Sequence, residues 1–303
     1  MQVVPEIQGE LDKAEVELGR VQPVVVSVAG APLQKGMTRA STAQLAQFDN
    51  LIVKQTRRGC MQELMGCEAK NEFLISAQPN PNQVLMYSLE ESSCFMRTCC
   101  KNNRAMKQTV WVGQNESAMD LPNNLPVVMG KKGLTCGVQP QQCCFNPYLD
   151  LFSGQDEPMG KVTVPFFWCV PSYKVFNEEN VQEYDIHMPI CFGCCVNCFA
   201  QGCCNCKIPF YIYRPDQTDR GEGQEIGNII KQWRGFGTEM FSDADTFTID
   251  FPKDANSDQK ARLLGLTFLL NMMQFEGKND RRGGGRSGGG RRGGGGRRGG
   301  GRR

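Results

Sequence analysis

Cys191, Cys194, Cys203 and Cys206 follow the pattern C-x2-C-x8-C-x2-C. Four thiolates spaced in two such knuckles can grip a zinc ion tetrahedrally. Cys195, Cys198 and Cys204 offer alternative ligands in the same stretch, and a zinc ribbon usually has a longer gap. A cysteine-rich strand pair with half-buried thiols fits the spacing as well. The chain has 16 cysteines, several in adjacent pairs such as Cys99–Cys100 and Cys143–Cys144. Sequence neighbours rarely reach disulfide geometry. The charged N-terminus lacks the apolar core of a signal peptide, so reduced thiols are expected.

The single histidine, His187, sits in the alternating run YDIHMPI, where a strand position is expected. Ser–His, Cys–His and histidine-rich metal chemistry would all have to pass through that one residue. P-loop and H-E-x-x-H motifs are missing. The expectation is a protein that works without covalent chemistry.

A different chemistry resides at residues 277–303. This segment carries nine arginines, one lysine and one aspartate, hence +9, against −7 for the remainder and +2 for the whole. It is glycine-rich and has no apolar residue, so no packed core is expected there. Arg281, Arg282, Arg286, Arg291, Arg292, Arg297, Arg298, Arg302 and Arg303 can pair bidentately with phosphate and stack on bases. RNA, DNA and anionic lipid headgroups are all candidate partners. No Phe or Tyr is present in the segment to strengthen stacking.

The elements that must carry these groups read as β-structure. Between about Cys67 and Phe251, short apolar or alternating runs recur: NEFLI, QVLMYSL, KQTVWVG, LPVVMG, KVTVPFFWCV, YKVFN, EYDIHM, PFYIYR, EIGNIIKQW and TFTIDF. Gly-, Pro-, Asn- and Asp-rich turns separate them, which points to an antiparallel sandwich or barrel. Residues 1–44 are weakly patterned, and Ser41–Arg58 is a candidate for ordered structure.

One long helix stands out, at 258–275. From Leu263 to Phe275 it is apolar nearly all round, so it must be surrounded by protein or by lipid. Its apolar part is about 20 Å long at about 1.5 Å per residue, against a bilayer core about 30 Å thick. Lys260, Arg262 and Glu276 bound it. A span would also carry the arginines across the bilayer, which positive charge disfavours. A closed antiparallel β-barrel gives the helix an interior and removes open sheet edges.

The segment SDADTFTIDFPKDANSDQKARLLGLTFLLNMMQFE, from Ser242 to Glu276, resembles the D-A-D-x-F-x-I-x-F-P-x-D stretch and following helix of the phospholipid scramblase family. EIGNIIKQW, LAQFDNLIVKQTRRGCMQELMGCEAKNEFLI, SSCFMRTCCKNNRAM and CFGCCVNC resemble further family segments in the same order, over about residues 45–276. The resemblance implies a tubby-like and LURP-one-like fold: a barrel of about twelve strands around a buried C-terminal helix. It implies calcium-dependent, ATP-independent movement of phospholipids between leaflets, or a membrane-associated scaffold or nuclear DNA-binding role.

The resemblance also nominates Asp243, Asp245, Phe247, Ile249, Phe251 and Asp254 as a calcium segment. Oxygen ligands suit a hard cation, although Thr248 stands where an EF-hand needs Gly and Asp254 where it needs Glu. Phe247, Ile249 and Phe251 also alternate like a strand with one buried face. The family's S-acylated cluster aligns near Cys136–Cys144 and implies Cys143 and Cys144 as lipidation sites. Membrane phospholipids are the implied partners, at the cytoplasmic face of the plasma membrane or an internal membrane, with a nuclear pool and self-association left open.

Overall fold

The computed structural model describes residues 41–56, 70–121, 124–135, 146–167, 170–189, 207–220, 223–232 and 245–276, and the backbone alone of 191–192 and 195–196. Strands β1 (Asn50–Thr56), β2 (Glu72–Ser76), β3 (Val84–Glu91), β4 (Met106–Val112), β5 (Val128–Lys132) and β6 (Tyr148–Phe152) form the first half. They are followed by β7 (Pro158–Thr163), β8 (Ser172–Phe176), β9 (Gln182–His187) and a small hairpin, β10 (Cys191–Phe192) with β11 (Cys195–Val196). β12 (Lys207–Tyr213), β13 (Gly227–Gln232), β14 (Thr246–Asp250) and the helix α1 (Ser257–Leu270) complete the order, and a wider helical turn continues α1 over Asn271–Phe275.

Twelve of these strands close a barrel in the order β1-β14-β13-β12-β9-β8-β7-β6-β5-β4-β3-β2. Every neighbour is antiparallel, and the β10–β11 hairpin is an excursion between β9 and β12. The ring closes where β1 pairs with β14 on one side (Leu51↔Ile249) and β2 on the other (Val53↔Ile75). The expected closed, mainly β architecture is therefore present.

Alternation explains the strands. Leu51 and Val53, Tyr173 and Val175, Tyr184 and Ile186, Phe210 and Ile212, and Phe247 and Ile249 all point inward and are buried. Two departures from the sequence reading have local causes. KVTVPFFWCV is not one strand: β7 ends at Thr163, and Pro165 has no N–H to give a ladder. β6, YLDLF, is a strand that the run-by-run reading passes over; Leu149 and Leu151 face inward on either side of Asp150.

The helix runs down the middle. Every residue from Lys260 to Phe275 is buried, which is why its sequence has no wide polar face. It leans toward β5–β8. Gly265 permits that approach: a Cβ there would lie 2.6 Å from Leu151 Cδ2. On the other side aromatic rings fill the wider gap, with Phe73–Phe268 centroids at 5.1 Å and Phe247–Phe275 at 5.7 Å.

The helix gives the barrel two distinguishable rims. At the entry rim β1 begins, β14 ends, and α1 enters behind a 3-10 turn, Ala43–Gln47. Leu45 of that turn is buried in the core, and Thr42 Oγ1 donates to Asp258 Oδ1 at 2.6 Å. At the exit rim β1 ends, β2 begins, and the turn Asn271–Phe275 emerges beside β2, β3 and β4. Among the described residues, no helix is long and apolar enough to cross a membrane.

Candidate functional site

Both ends of the helix are fastened by buried charge. At the entry rim Arg262 donates through Nε and Nη2 to the Glu183 carboxylate, at 2.8 and 2.9 Å. Its Nη1 donates to Met159 O at 2.7 Å. Lys260 Nζ donates to Phe48 O at 2.7 Å and Ala46 O at 3.1 Å. Asn256 and Gln259 form a reciprocal cap, each side chain accepting the other's backbone N–H at 2.9 Å. Lys260 and Arg262 thus do more than bound the helix: their charged ends are held inside the structure by groups far away in sequence.

At the exit rim the fastening is tighter. Arg104 is fully buried and donates through Nε and Nη2 to the two oxygens of Glu90, both at 2.7 Å. Nη2 also reaches Glu276 Oε1, at 2.7 Å, just past the end of the helix. Asn71 Nδ2 bridges the same two acids, at 2.7 Å to Glu90 and 2.6 Å to Glu276. Ser92 Oγ donates to Glu90 at 2.6 Å. Burial pushes Glu90 up, but Arg104, Ser92 and Asn71 together hold it below the usual carboxylate range. Burial pushes Glu276 up against the pull of Arg104. Its Oε2 is buried with no hydrogen-bond partner among the described residues. Nearby, burial and then Arg104 push the Lys132 amine down to about 8, although Lys132 Nζ donates to Arg104 O, Gly133 O and Thr135 Oγ1.

The nominated calcium residues divide between the two rims. Asp245 precedes β14 at the exit rim, where Lys231 Nζ lies 2.7 Å from its carboxylate and 4.1 Å from the centre of the Phe275 ring. Phe247, Ile249 and Phe251 are buried in the core. They offer a cation only main-chain oxygen, and β14 is paired with both β1 and β13. Asp254 lies past the far end of the strand and is ion-paired with Arg214. From Asp245 to the end of β14 is about 17 Å at about 3.3 Å per residue, so the six residues are not gathered around one point. Asp243 lies outside the described residues. Among the described residues no cluster of three or more His, Cys, Asp or Glu side chains could hold a metal ion.

The other nominated groups are placed only in part. Cys191 begins the short hairpin, while Cys194, Cys203 and Cys206 lie outside the described residues. So do Cys143, Cys144 and all nine arginines from Arg281 to Arg303. Cys99 and Cys100 are free, but Cys94 is disulfide-bonded, which corrects the expectation of uniformly reduced thiols. The barrel brings connections from distant parts of the chain side by side, a proximity that sequence neighbours lack. His187 lies on β9 as expected, stacked on Tyr213 at 4.8 Å, and burial pushes its imidazole down.

The exit-rim network escaped the sequence reading, though one signal was available. In QVLMYSLEE, Met86, Ser88 and Glu90 share the inward parity of β3. An acid at the end of a core-facing series needs a buried partner, and Arg104 is that partner.

Comparison with known proteins identifies the relatives. The family model described as Scramblase matches residues 30–277, the whole barrel and its helix. Mouse phospholipid scramblase 1 is 30% identical over 79% of this chain and 66% of its own length. Cattle phospholipid scramblase 2 is 27% identical over 84% of this chain and 78% of its own. Human phospholipid scramblase family member 5 is 27% identical over 77% and 76%. The chain spans 66% and 64% of the mouse and rat scramblase 1 proteins, just under two thirds of their length. No solved structure matches. With the family model covering the barrel from its first strand to the latch at Glu276, this chain belongs to the scramblase family.

Proposed function

We propose that this protein moves phospholipids between the two leaflets of a membrane, in both directions, without ATP and in response to calcium. The observation that supports this reading is the family match over residues 30–277. The function involves no bond-making. Calcium enters at Asp243 and Asp245, where it must compete with Lys231 for the Asp245 carboxylate. Such a site binds weakly, since it gathers few charged oxygens. Displaced from Asp245, the Lys231 ammonium loses its anchor beside Phe275, so calcium acts on the end of the helix. Acylation of Cys143 and Cys144 would give two chains and stable attachment at the cytoplasmic face. Zinc at Cys191, Cys194, Cys203 and Cys206 would stiffen the connection between β9 and β12.

The test is reconstitution into liposomes carrying a labelled lipid. Calcium should accelerate lipid exchange between leaflets, and exchange no faster than in protein-free vesicles sinks the proposal. Asp243→Ala with Asp245→Ala should remove the calcium response; a full response in that variant clears these two acids. Hydroxylamine before a carbonate wash should release the protein from membranes if acyl chains hold it. A second reading, nucleic-acid binding, is favoured by the nine arginines of residues 277–303. Deleting that segment should reduce RNA or DNA binding and flatten its salt dependence; undiminished binding excludes the segment.

A further inference from the structure

Phe275 and Glu276 are neighbours in sequence, yet their side chains are held on different sides of the exit mouth. Phe275 packs toward β13 and β14, with the Lys231 ammonium 4.1 Å from its centre and the Phe247 ring at 5.7 Å. Glu276 is held toward β2–β4 by Asn71 and Arg104. The barrel wall joins the two sides. Lys231 Nζ lies 2.7 Å from the Asp245 carboxylate. Gln55 N donates to Asp245 O at 2.8 Å, and Gln55 Nε2 donates to Asn71 Oδ1 at 2.7 Å. Asn71 Nδ2 then donates to Glu276 at 2.6 Å. The contacts close a ring: Lys231, Asp245, Gln55, Asn71, Glu276, Phe275 and back to Lys231. It runs along the exit ends of four consecutive strands, β13, β14, β1 and β2.

The links are short and shielded from water. The Lys231 and Asp245 side chains are only 13% and 12% exposed, so salt screens their attraction little. Asn71 is buried, and every polar atom it has is engaged: its Nδ2 and N reach Glu90 as well, and its O accepts from Glu90 N. Neighbouring strands stand about 4.8 Å apart, and a hydrogen bond weakens beyond about 3.2 Å. The ring therefore has little slack. Movement of the helix end toward one side stretches a link on the other. The turn that carries the load, Asn271–Phe275, is wider than an α-helix, a form found mostly as single turns at functional sites.

We infer that Gln55 and Asn71 are positioning residues that couple the Asp245–Lys231 pair to the Glu276 latch, so that pair and latch hold or release the helix end together. A cation that takes the Asp245 carboxylate from Lys231 frees the ammonium beside Phe275, and the slack reaches Glu276 through Gln55 and Asn71. An isolated ion pair would act on Phe275 alone; the ring makes the whole turn respond. Calcium as that cation rests on the function proposed above, whereas the coupling rests on the contacts alone.

The first experiment is a double-mutant cycle in urea unfolding of the full chain, with Lys231→Met, Asn71→Ala and the two combined. Lys231 and Asn71 are joined only through the ring, so independent sites would combine within about twofold in the unfolding constant. Coupled sites should depart from the product by at least about threefold, the double variant being the less damaged. Lys231→Met with Asn256→Ala, at the entry end, is the control and should combine as a simple product. Should Asn71→Ala not fold, Gln55→Met cuts the ring at one bond, leaves both acids their partners, and takes its place. The second experiment is hydrogen exchange read by mass spectrometry. Asp245→Asn keeps the shape and removes the charge; it should speed exchange of the amides of 272–276 at least about fivefold and leave 260–264 unchanged. Most of that increase should vanish when Gln55→Met is already present, which a merely structural Gln55 would not cause. A cycle that combines as a simple product, or the same exchange increase with and without Gln55, overturns the coupling. Calcium added to the unmodified protein should reproduce the Asp245→Asn pattern. If calcium changes nothing while the cycle stays coupled, the ring stands and the calcium reading falls.

Discussion

Replacing Arg104 by Met should destabilise the barrel, and the deficit against the parent should narrow as pH falls. The guanidinium makes three bonds of 2.7 Å to two carboxylates, and a fourth, of 3.0 Å, to Lys101 O. Without it, Glu90 keeps only Asn71 and Ser92, and Glu276 keeps only Asn71. Two acids then share one amide in a buried space. Breaking a buried ion pair from one side costs about 3–5 kcal/mol, a large part of the roughly 5–15 kcal/mol that holds an ordinary domain folded. The acid response follows from linkage. In the unmodified protein Glu90 sits below its ordinary value of 4.5, so its contribution is present above that pH and is lost as pH falls through the folded value. Glu276, pushed up by burial, acts in the opposite sense, so the informative quantity is the difference between variant and parent. In Arg104→Met both acids lie above 4.5, the folded state binds protons more tightly, and the variant regains stability as pH falls toward 4.5. Urea unfolding followed by tryptophan fluorescence, from about pH 8 down to about pH 5, measures both effects. A cost below about 1 kcal/mol, or a gap from the parent that widens on acidification, would refute the reasoning.

Three further perturbations probe other parts of the molecule. Lys132, pushed down to about 8 from 10.5, binds its proton less tightly in the folded state, so stability should climb with pH between those values; Lys132→Met should abolish the climb in urea midpoints. Asn256→Ala removes one side of the reciprocal cap and should cost about 1 kcal/mol in the same assay. Phe268→Ala opens a hole against Phe73 and should cost about 3–5 kcal/mol in detergent-free buffer; a helix whose side chains met lipid rather than strands would show much less.

The helix was legible because its pattern admits one explanation: apolar residues on all sides, over a length too short for a bilayer. Alternation was enough to mark β8, β9, β12 and β14, where aromatic and β-branched residues hold one parity. β6 was harder, since five residues with an acid in the centre carry little periodic signal. The latches were not legible at all. Arg262 finds Glu183, 79 residues away, and Arg104 finds Glu276, 172 residues away. Only closure of the ring brings those groups together. The acidic segment shows the opposite failure. Asp245 and Asp254 are close in sequence, yet an extended strand carries them to opposite rims. A helix or a loop would have folded them together; β14 holds them apart.

Twelve is an even number of strands, so a chain ending at Asp250 would finish on the side where Asn50 began. The central helix changes that, because it carries the polypeptide through the ring to the opposite pole. Thr42 and Glu276 therefore face away from each other, separated by about 28 Å of helix at about 1.5 Å per residue. Fluorescent proteins fused before residue 41 and after residue 276 would sample different surroundings. A circular permutant would need a bridge of at least about nine extended residues even by the straightest route, and that route is already filled by the helix itself.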